Sequence, residues 1–491
     1  MTESNSHHHR SILKSIARNV MIERGLLPDF PPEVMVELGK IKAPLFQVNG
    51  LTRDLRDFVW CSIDNDDSRD LDQLTCAEPA SNGSVKILVA VADVDVLVKR
   101  GSPLDDHASH NTTSVYTAAE IFPMLPEQLS TDMTSLNLDS DRLSVVVEMV
   151  IAPDGSVSKS DIYRAWVRNC AKLTYNNVAK WLDGNGELHI ASGANKHLSV
   201  SLRLQDSAAQ KMKALRHQHG ALSLETIQAR PVFEDDQIRD LEPDEKNRAK
   251  DIIEDFMIAS NGVVARFLAS KHFPSLRRVV RTPKRWDRIV EIASDHGTKL
   301  PLEPDPIALD KFLVSAKAKD PIRFPDLSLT VIKLLGSGEY MAEKAGTTGP
   351  GHFGLAMRDY SHATAPNRRY PDLITQRLLK AALAGTPVPY NDDELEVLAK
   401  HCTEAENAAK KVERQVGKSA AAMFLESRIG EQFESIVTGA SPKGVWVRLI
   451  HPPIEGRLTT GSEKLDVGDR LRVQLVHTDI ERGFIDFKRV G

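Results

Sequence analysis

Between positions 59 and 75 the chain reads VWCSIDNDDSRDLDQLT, and five of these residues are aspartates: Asp64, Asp66, Asp67, Asp70 and Asp72. Close carboxylates repel, so a fold keeps them together only where a cation neutralises them or water screens them. Ligands that are all oxygen suit magnesium (Mg2+) or manganese. Asp70 and Asp72 are two apart and share one side of an extended chain. Asp64, delivered by the short apolar strand before it, can close over the same point. On these residues alone two readings stand open, a site for a hard divalent cation and an ordinary solvated turn. A calcium loop of the D-x-D-x-D-G kind is excluded, because Arg69 stands where that loop needs glycine.

The elements that must hold this loop are strands first and helices after. VKILVAVADVDVLV (85–98) is dense in valine and isoleucine and predicts a buried strand or two. RLSVVVEMVIAPDGSV (142–157) predicts a hairpin turning at Pro153-Asp154-Gly155. The three- and four-residue recurrence of apolar positions in 246–272 predicts a helix. Further helices are expected over 371–385, with proline at its start and glycine at its end, and over the charged stretch 393–430. At the N-terminus, Ile12, Leu13, Ile16, Val20 and Met21 fall at helical spacing up to Gly25, and a short second helix is expected from Pro32 to Lys40. This small helix-turn-helix-like unit is expected to pack against the main body. His7, His8 and His9 read as a loose end, with a metal-binding tract as the alternative.

Residues 431–491 return to strands, and five short segments in about 60 residues match the count and size of an OB-type barrel. Such barrels bind single strands through a basic groove and exposed aromatics. Phe433 and Trp446, with Arg448, Arg457 and Lys464, are the candidates, and either aromatic can equally be core.

The whole chain has 491 residues, 41% hydrophobic and 27% charged, which implies a globular protein of about two to four domains. Its formal charge of -5 argues against binding nucleic acid by bulk charge, and leaves room for a local basic channel. Cys61, Cys76, Cys170 and Cys402 form no CxxC pair, so neither a zinc signature nor a disulfide framework is present, and a reducing cytoplasmic setting is expected. No apolar run is long enough for a membrane span.

LTRDLRDFVWCSIDNDDSRDLDQ resembles the signature of the ribonuclease II / ribonuclease R family, and further blocks follow in that family's order. They are VAVADVDVLVKRGSPLD (89–105), SVYTAAEIFPMLPEQLS (114–130), SLNLDSDRLSVVVEM (135–149), IIEDFMIASN (252–261) and GHFGLAMRDYSHATAPNRRYPDL (351–373). The resemblance covers residues 51–425, implying an α+β catalytic domain between a helical unit (1–50) and an RNA-binding OB-fold domain (426–491). It implies a hydrolytic 3′-to-5′ exoribonuclease without sequence preference, releasing 5′-mononucleotides with two metal ions at the scissile phosphate. RNA is the implied partner, and a monomer is expected.

Carried over from the family, Asp64, Asp70 and Asp72 are the catalytic, metal-holding aspartates and Arg368 a phosphate-binding arginine. Its neighbour Arg369 either grips the next phosphate or pairs with Asp372. Tyr116 matches an aromatic that packs on the terminal base. Tyr175 and Glu254 match residues near the 3′ ribose, where the 2′-hydroxyl separates RNA from DNA. Asn261, seven residues on from Glu254, shares its helix face and reads as structural. Phe233 lies near the place of the family's second stacking aromatic without a clean match.

Gln73 departs from the pattern, standing where the family has a fourth metal-binding aspartate; its amide oxygen can coordinate a metal but brings no charge. A catalytically impaired RNA-binding relative is therefore the alternative reading. Only about 50 residues precede Leu51, where the family's paired cold-shock domains are expected, which implies a different RNA entrance and greater tolerance of structured RNA. Gln376 replaces a usual histidine and Asn111 a usual arginine.

Overall fold

The computed structural model describes residues 9–44, 46, 52–188, 195–227, 229–234, 236–243, 246–441, 444–465 and 467–490. His7, His8 and Leu51, the expected start of the catalytic segment, lie outside the described residues.

A six-stranded mixed sheet forms the centre, in the order Thr52–Asp54, Val157–Thr174, Trp60–Asp64, Gln73–Pro79, Val85–Ala92 and Asp141–Ile151. The strand Val157–Thr174 pairs antiparallel with Asp141–Ile151 over its first two thirds and parallel with Trp60–Asp64 at its end, so the sheet curls back on itself. Val85–Ala92 has neighbours on both sides and is almost wholly buried, which explains why it reads as a continuous apolar run rather than an alternating one. The strand stops at Ala92, short of the expected 98, because buried Asp93 turns its carboxylate to Arg164 and Lys380, and a single 3-10 turn Val94–Val96 follows. The hairpin at Pro153–Gly155 is as expected, with φ +90° at Gly155, a position where a Cβ would lie 2.3 Å from the Lys211 carbonyl oxygen.

Helices Arg248–Ser270, Tyr370–Ala384 and Asp392–Leu425 fall where the sequence predicts helices, the first from its apolar periodicity. Asp392–Leu425 begins with a capping box between Asn391 and Glu394 and carries a seam of small residues, Ala405, Ala409, Val412, Val416 and Ala420. The N-terminal helix His9–Glu23 packs Leu13, Ile16, Ala17, Val20 and Met21 into the same cluster. Each buried aliphatic side chain of this kind contributes roughly 1.5–3 kcal/mol of transfer free energy. The unit is thus part of the main body.

Asn111 explains part of that docking. Its amide is 2% exposed, accepts from the Leu27 N–H and donates to the Leu27 carbonyl, both at 2.9 Å. Glu37 adds a carboxylate at the start of helix Pro103–Asn111, accepting from the Leu104 N–H at 2.8 Å. Asn111→Ala is expected to leave both Leu27 groups without partners and to cost roughly 1–3 kcal/mol. Hydrogen exchange should speed up within residues 9–38 while the central sheet stays protected. Uniform protection across both would count against the clip.

The last five strands, Gln432–Ser441, Gly444–Leu449, Glu455–Thr460, Arg470–Asp479 and Phe484–Val490, close into a barrel, with Ala422 and Leu425 of the long helix in its core. Phe433 is core, 6% exposed, and not a binding surface. Arg448 serves no groove either: its guanidinium grips Asp326 of helix Phe324–Leu335 with two hydrogen bonds and latches the barrel to the main body. Trp446 sits on the same outer face of its strand, partly exposed, cross-strand from exposed Arg457. No described helix is long and apolar enough to cross a membrane.

Candidate active site

Asp64 ends the strand Trp60–Asp64, the loop 65–72 turns the chain, and Gln73–Pro79 returns antiparallel. The far end of this loop is pinned by three backbone contacts. The Leu71 N–H donates to Ser135 Oγ, the Leu71 carbonyl accepts from the Leu136 N–H, and the Asp72 carbonyl accepts from the Ala92 N–H. The near end is tied by the Asp64 carboxylate, which accepts from the Asn65 N–H at 2.8 Å and Ser68 Oγ at 3.0 Å.

Asp72 is 2% exposed. One of its oxygens accepts from the Asn367 N–H at 3.1 Å and the other from Arg368 Nε at 3.0 Å. Burial pushes its carboxyl up to about 7 despite the opposing pull of Arg368, and the charge of Asp70 pushes the same way. Burial also lifts Asp64, again with a contribution from Asp70. Asp70 accepts from the Tyr116 hydroxyl at 3.0 Å, and burial raises that phenol above its usual range. The Tyr116 backbone N–H is held by Glu413 of the long helix at 3.0 Å. Asp66 and Asp67 are exposed to solvent.

Arg368 is used only at Nε. Among the described residues its two terminal nitrogens make no hydrogen bond, while desolvation works against its charge and Asp72 overrides this and raises it. Its side chain is 40% exposed, so it presents a fork to solvent. Arg369 turns the other way, to the fully buried Asp372, at 2.7 Å.

Hydrogen bonds thus join Tyr116 to Asp70 and Arg368 to Asp72, and Asp64 lies near enough to feel the charges of Arg368 and Asp70. Tyr175 joins by register, since Asp64 pairs with Thr174, the N-cap of helix Tyr175–Leu182. Lys250 of helix Arg248–Ser270 lies over the Tyr175 ring at 6.0 Å, and exposed Glu254 is one turn further along the same helix as Lys250. Gln73 follows Asp72 and is partly exposed; among the described residues its side chain makes no hydrogen bond. Asn261 is structural, its amide bonding the Ala363 N–H and the Tyr360 hydroxyl. Phe233 lies under Arg10, packed on the N-terminal cluster. Trp446 belongs to the barrel. Asn367 and Glu413 are site residues the sequence reading missed. Asn367 sits inside the APNRRYPDL block and was within reach; nothing local marks Glu413.

The carboxylates fit a hard cation in donor chemistry, being oxygen only, with Asp72 held in a setting where its charge is costly. Among the described residues no three His, Cys, Asp or Glu side chains already stand as a metal cage, since Asp70 and Asp72 are engaged by Tyr116 and Arg368.

The sequence matches the RNB domain over residues 52–385 and the RNase II-type exonuclease C-terminal S1 domain over residues 431–490. Ribonuclease R of Thermotoga maritima is 30% identical over 497 residues, covering 94% of this chain and 68% of that protein. Ribonuclease R of Vibrio parahaemolyticus is 28% identical over 477 residues, covering 89% of this chain and 56% of that protein, so the chain spans little more than half of some relatives. Mycoplasma genitalium RNase R, solved with ribose-methylated single-stranded RNA, superposes with a TM-score of 0.88 at 22% identity, over 97% of this chain and 78% of that one. Ribonucleases built on the RNB domain are metal-dependent nucleases. With that domain matched over more than half of its length, this chain belongs to the RNB family.

Proposed function

We propose that this chain is a 3′-to-5′ hydrolytic exoribonuclease acting in the cytoplasm, with the 3′ end of RNA as substrate and 5′-mononucleotides as product. The observation that carries this reading is the pairing of buried Asp72 with Arg368, whose remaining guanidinium nitrogens are free and whose charge is felt by Asp64 as well as Asp72. Asp64, Asp70 and Asp72 would hold magnesium or manganese, two ions when loaded, with the Gln73 oxygen as a weak further donor. The metal, when bound, supplies a water of lowered pKa and neutralises charge on the phosphate.

The chain's own groups do the rest. Arg368 clamps the non-bridging phosphate oxygens and counters the charge that grows as water attacks phosphorus and the P–O3′ bond breaks. Asn367 and Arg368 orient Asp72, and Tyr116, fixed by Asp70 and Glu413, offers its ring, 39% of the residue being exposed, to the terminal base. Tyr175 and Glu254 would read the 2′-hydroxyl. The barrel, with Trp446 and Arg457 outward, adds an RNA-binding surface.

The test is digestion of 5′-labelled single-stranded RNA with magnesium, with manganese and with chelator. A metal-dependent collapse to a short end fragment is expected, no cleavage with chelator, and slow removal of a 2′-deoxynucleotide placed at the 3′ end. RNA left intact but bound under every condition would replace the enzyme with an RNA-binding relative.

A further inference from the structure

At the far end of helix Tyr370–Ala384 from the carboxylates lies a cleft of about 480 Å³, a volume typical of small-molecule sites. Lys380, which lines it, is ten residues beyond Tyr370, about 15 Å along the helix axis. Five cations face the cleft, Arg53, Arg100, Arg164, Arg377 and Lys380, against one lining carboxylate, Asp95.

The floor is a closed ion network. Fully buried Asp93 takes Arg164 at 2.9 Å and Lys380 at 2.7 Å, and Asp95 takes Lys380 at 2.8 Å and Arg377 at 3.0 Å. The rim differs. Arg53 and Arg100 are about half exposed, and their acid partners Asp161 and Glu394 do not line the cleft. Exposed pairs of this kind are weak and readily exchanged for a better anion. One wall is apolar and shallow, made by Ile162 and by the small residues Ala381 and Ala384, which leave room for a flat body.

We propose that this cleft binds a small phosphorylated ligand of nucleotide size, its phosphate between Arg53 and Arg100 and its apolar body against Ile162 and Ala381. The site is separate from the nuclease centre, and the inference does not depend on the proposed activity. It is also wired to that centre. Asp93 follows Ala92, whose N–H holds the Asp72 carbonyl and whose carbonyl accepts from Gln376 at 2.7 Å.

Equilibrium dialysis of the full chain with labelled adenosine 5′-monophosphate, in chelator, tests this. Saturable binding below about 1 mM is expected, unchanged in Arg368→Ala and weakened at least about tenfold in Arg53→Ser/Arg100→Ser. Arg53→Glu, a single change at an exposed position, should give the same loss, with the thermal midpoint confirming that each variant is folded. Absence of saturable binding to the wild-type chain overturns the proposal. So does loss of binding in Arg368→Ala with retention in the rim variants, which would place the nucleotide at the nuclease centre.

Discussion

Asp72→Asn is expected to lower RNA hydrolysis about a thousandfold or more while RNA affinity stays within a few-fold of wild type. The amide is isosteric and can still accept the Asn367 N–H, so the loop keeps its shape. It removes the charge that holds a cation and that faces Arg368. The stability sign runs opposite to the activity. Burial raises this carboxyl to about 7 from 3.8, so the folded state disfavours its charged form. That penalty is absent below pH 3.8, grows as pH rises through 7 and is fully present above it. Substituting a neutral group relieves it, so the thermal midpoint at pH 8 should hold or rise, in keeping with a site where function is held at the expense of stability. Retained hydrolysis would remove Asp72 from the mechanism. A fall in midpoint alongside the lost activity would make Asp72 a structural residue instead.

Asp372→Asn should have the largest effect on stability, roughly 3–5 kcal/mol. One Asp372 oxygen accepts three donors, the backbone N–H groups of Thr364 and Ala365 at 2.8 Å and Arg369 Nη2 at 2.7 Å. The residue is 0% exposed, and desolvation of the Arg369 guanidinium is offset chiefly by Asp372. With the charge gone, Arg369 is left buried and unpaired. The segment 364–368 then keeps only a neutral acceptor in place of the charged anchor that points Asn367 and Arg368 at Asp72. Urea unfolding should show a lower midpoint at unchanged slope, and hydrolysis should fall with it. A midpoint shift equivalent to less than about 0.5 kcal/mol would show that the loop is held by packing alone.

How much of this was legible beforehand divides by sequence distance. The strand delivering Asp64, the Pro153–Gly155 hairpin, the helices and the five barrel strands announce themselves within a window of about 10 to 30 residues, where period and turn chemistry operate. The identity of the carboxylates and of Arg368 came from ordered family blocks; spacing alone left the acidic loop undecided between a cation site and a solvated turn. Partnerships across the chain were not readable. Arg448 and Asp326 are 122 positions apart, and an arginine on a barrel strand looks the same whether it faces RNA or a helix. Glu413 and Tyr116, 297 apart, meet because the long helix passes behind the Val115–Tyr116 strand. The strand ends at Ala92, short of the expected 98, for a related reason: the two cationic partners of Asp93 lie 71 and 287 residues away.

The Asn111 clip has a consequence for how this protein tolerates change. Because Asn111 reads the backbone of Leu27 and not its side chain, position 27 is free to drift among residues of many kinds, proline excepted for want of an N–H. In this chain position 111 has no such latitude, since the clip needs one donor and one acceptor at that spacing, which an amide presents and the family's usual arginine does not. Two residues in intimate contact would therefore show opposite substitution patterns and no covariation between them. A lineage could rewrite much of its N-terminal segment while keeping it fastened to the same place.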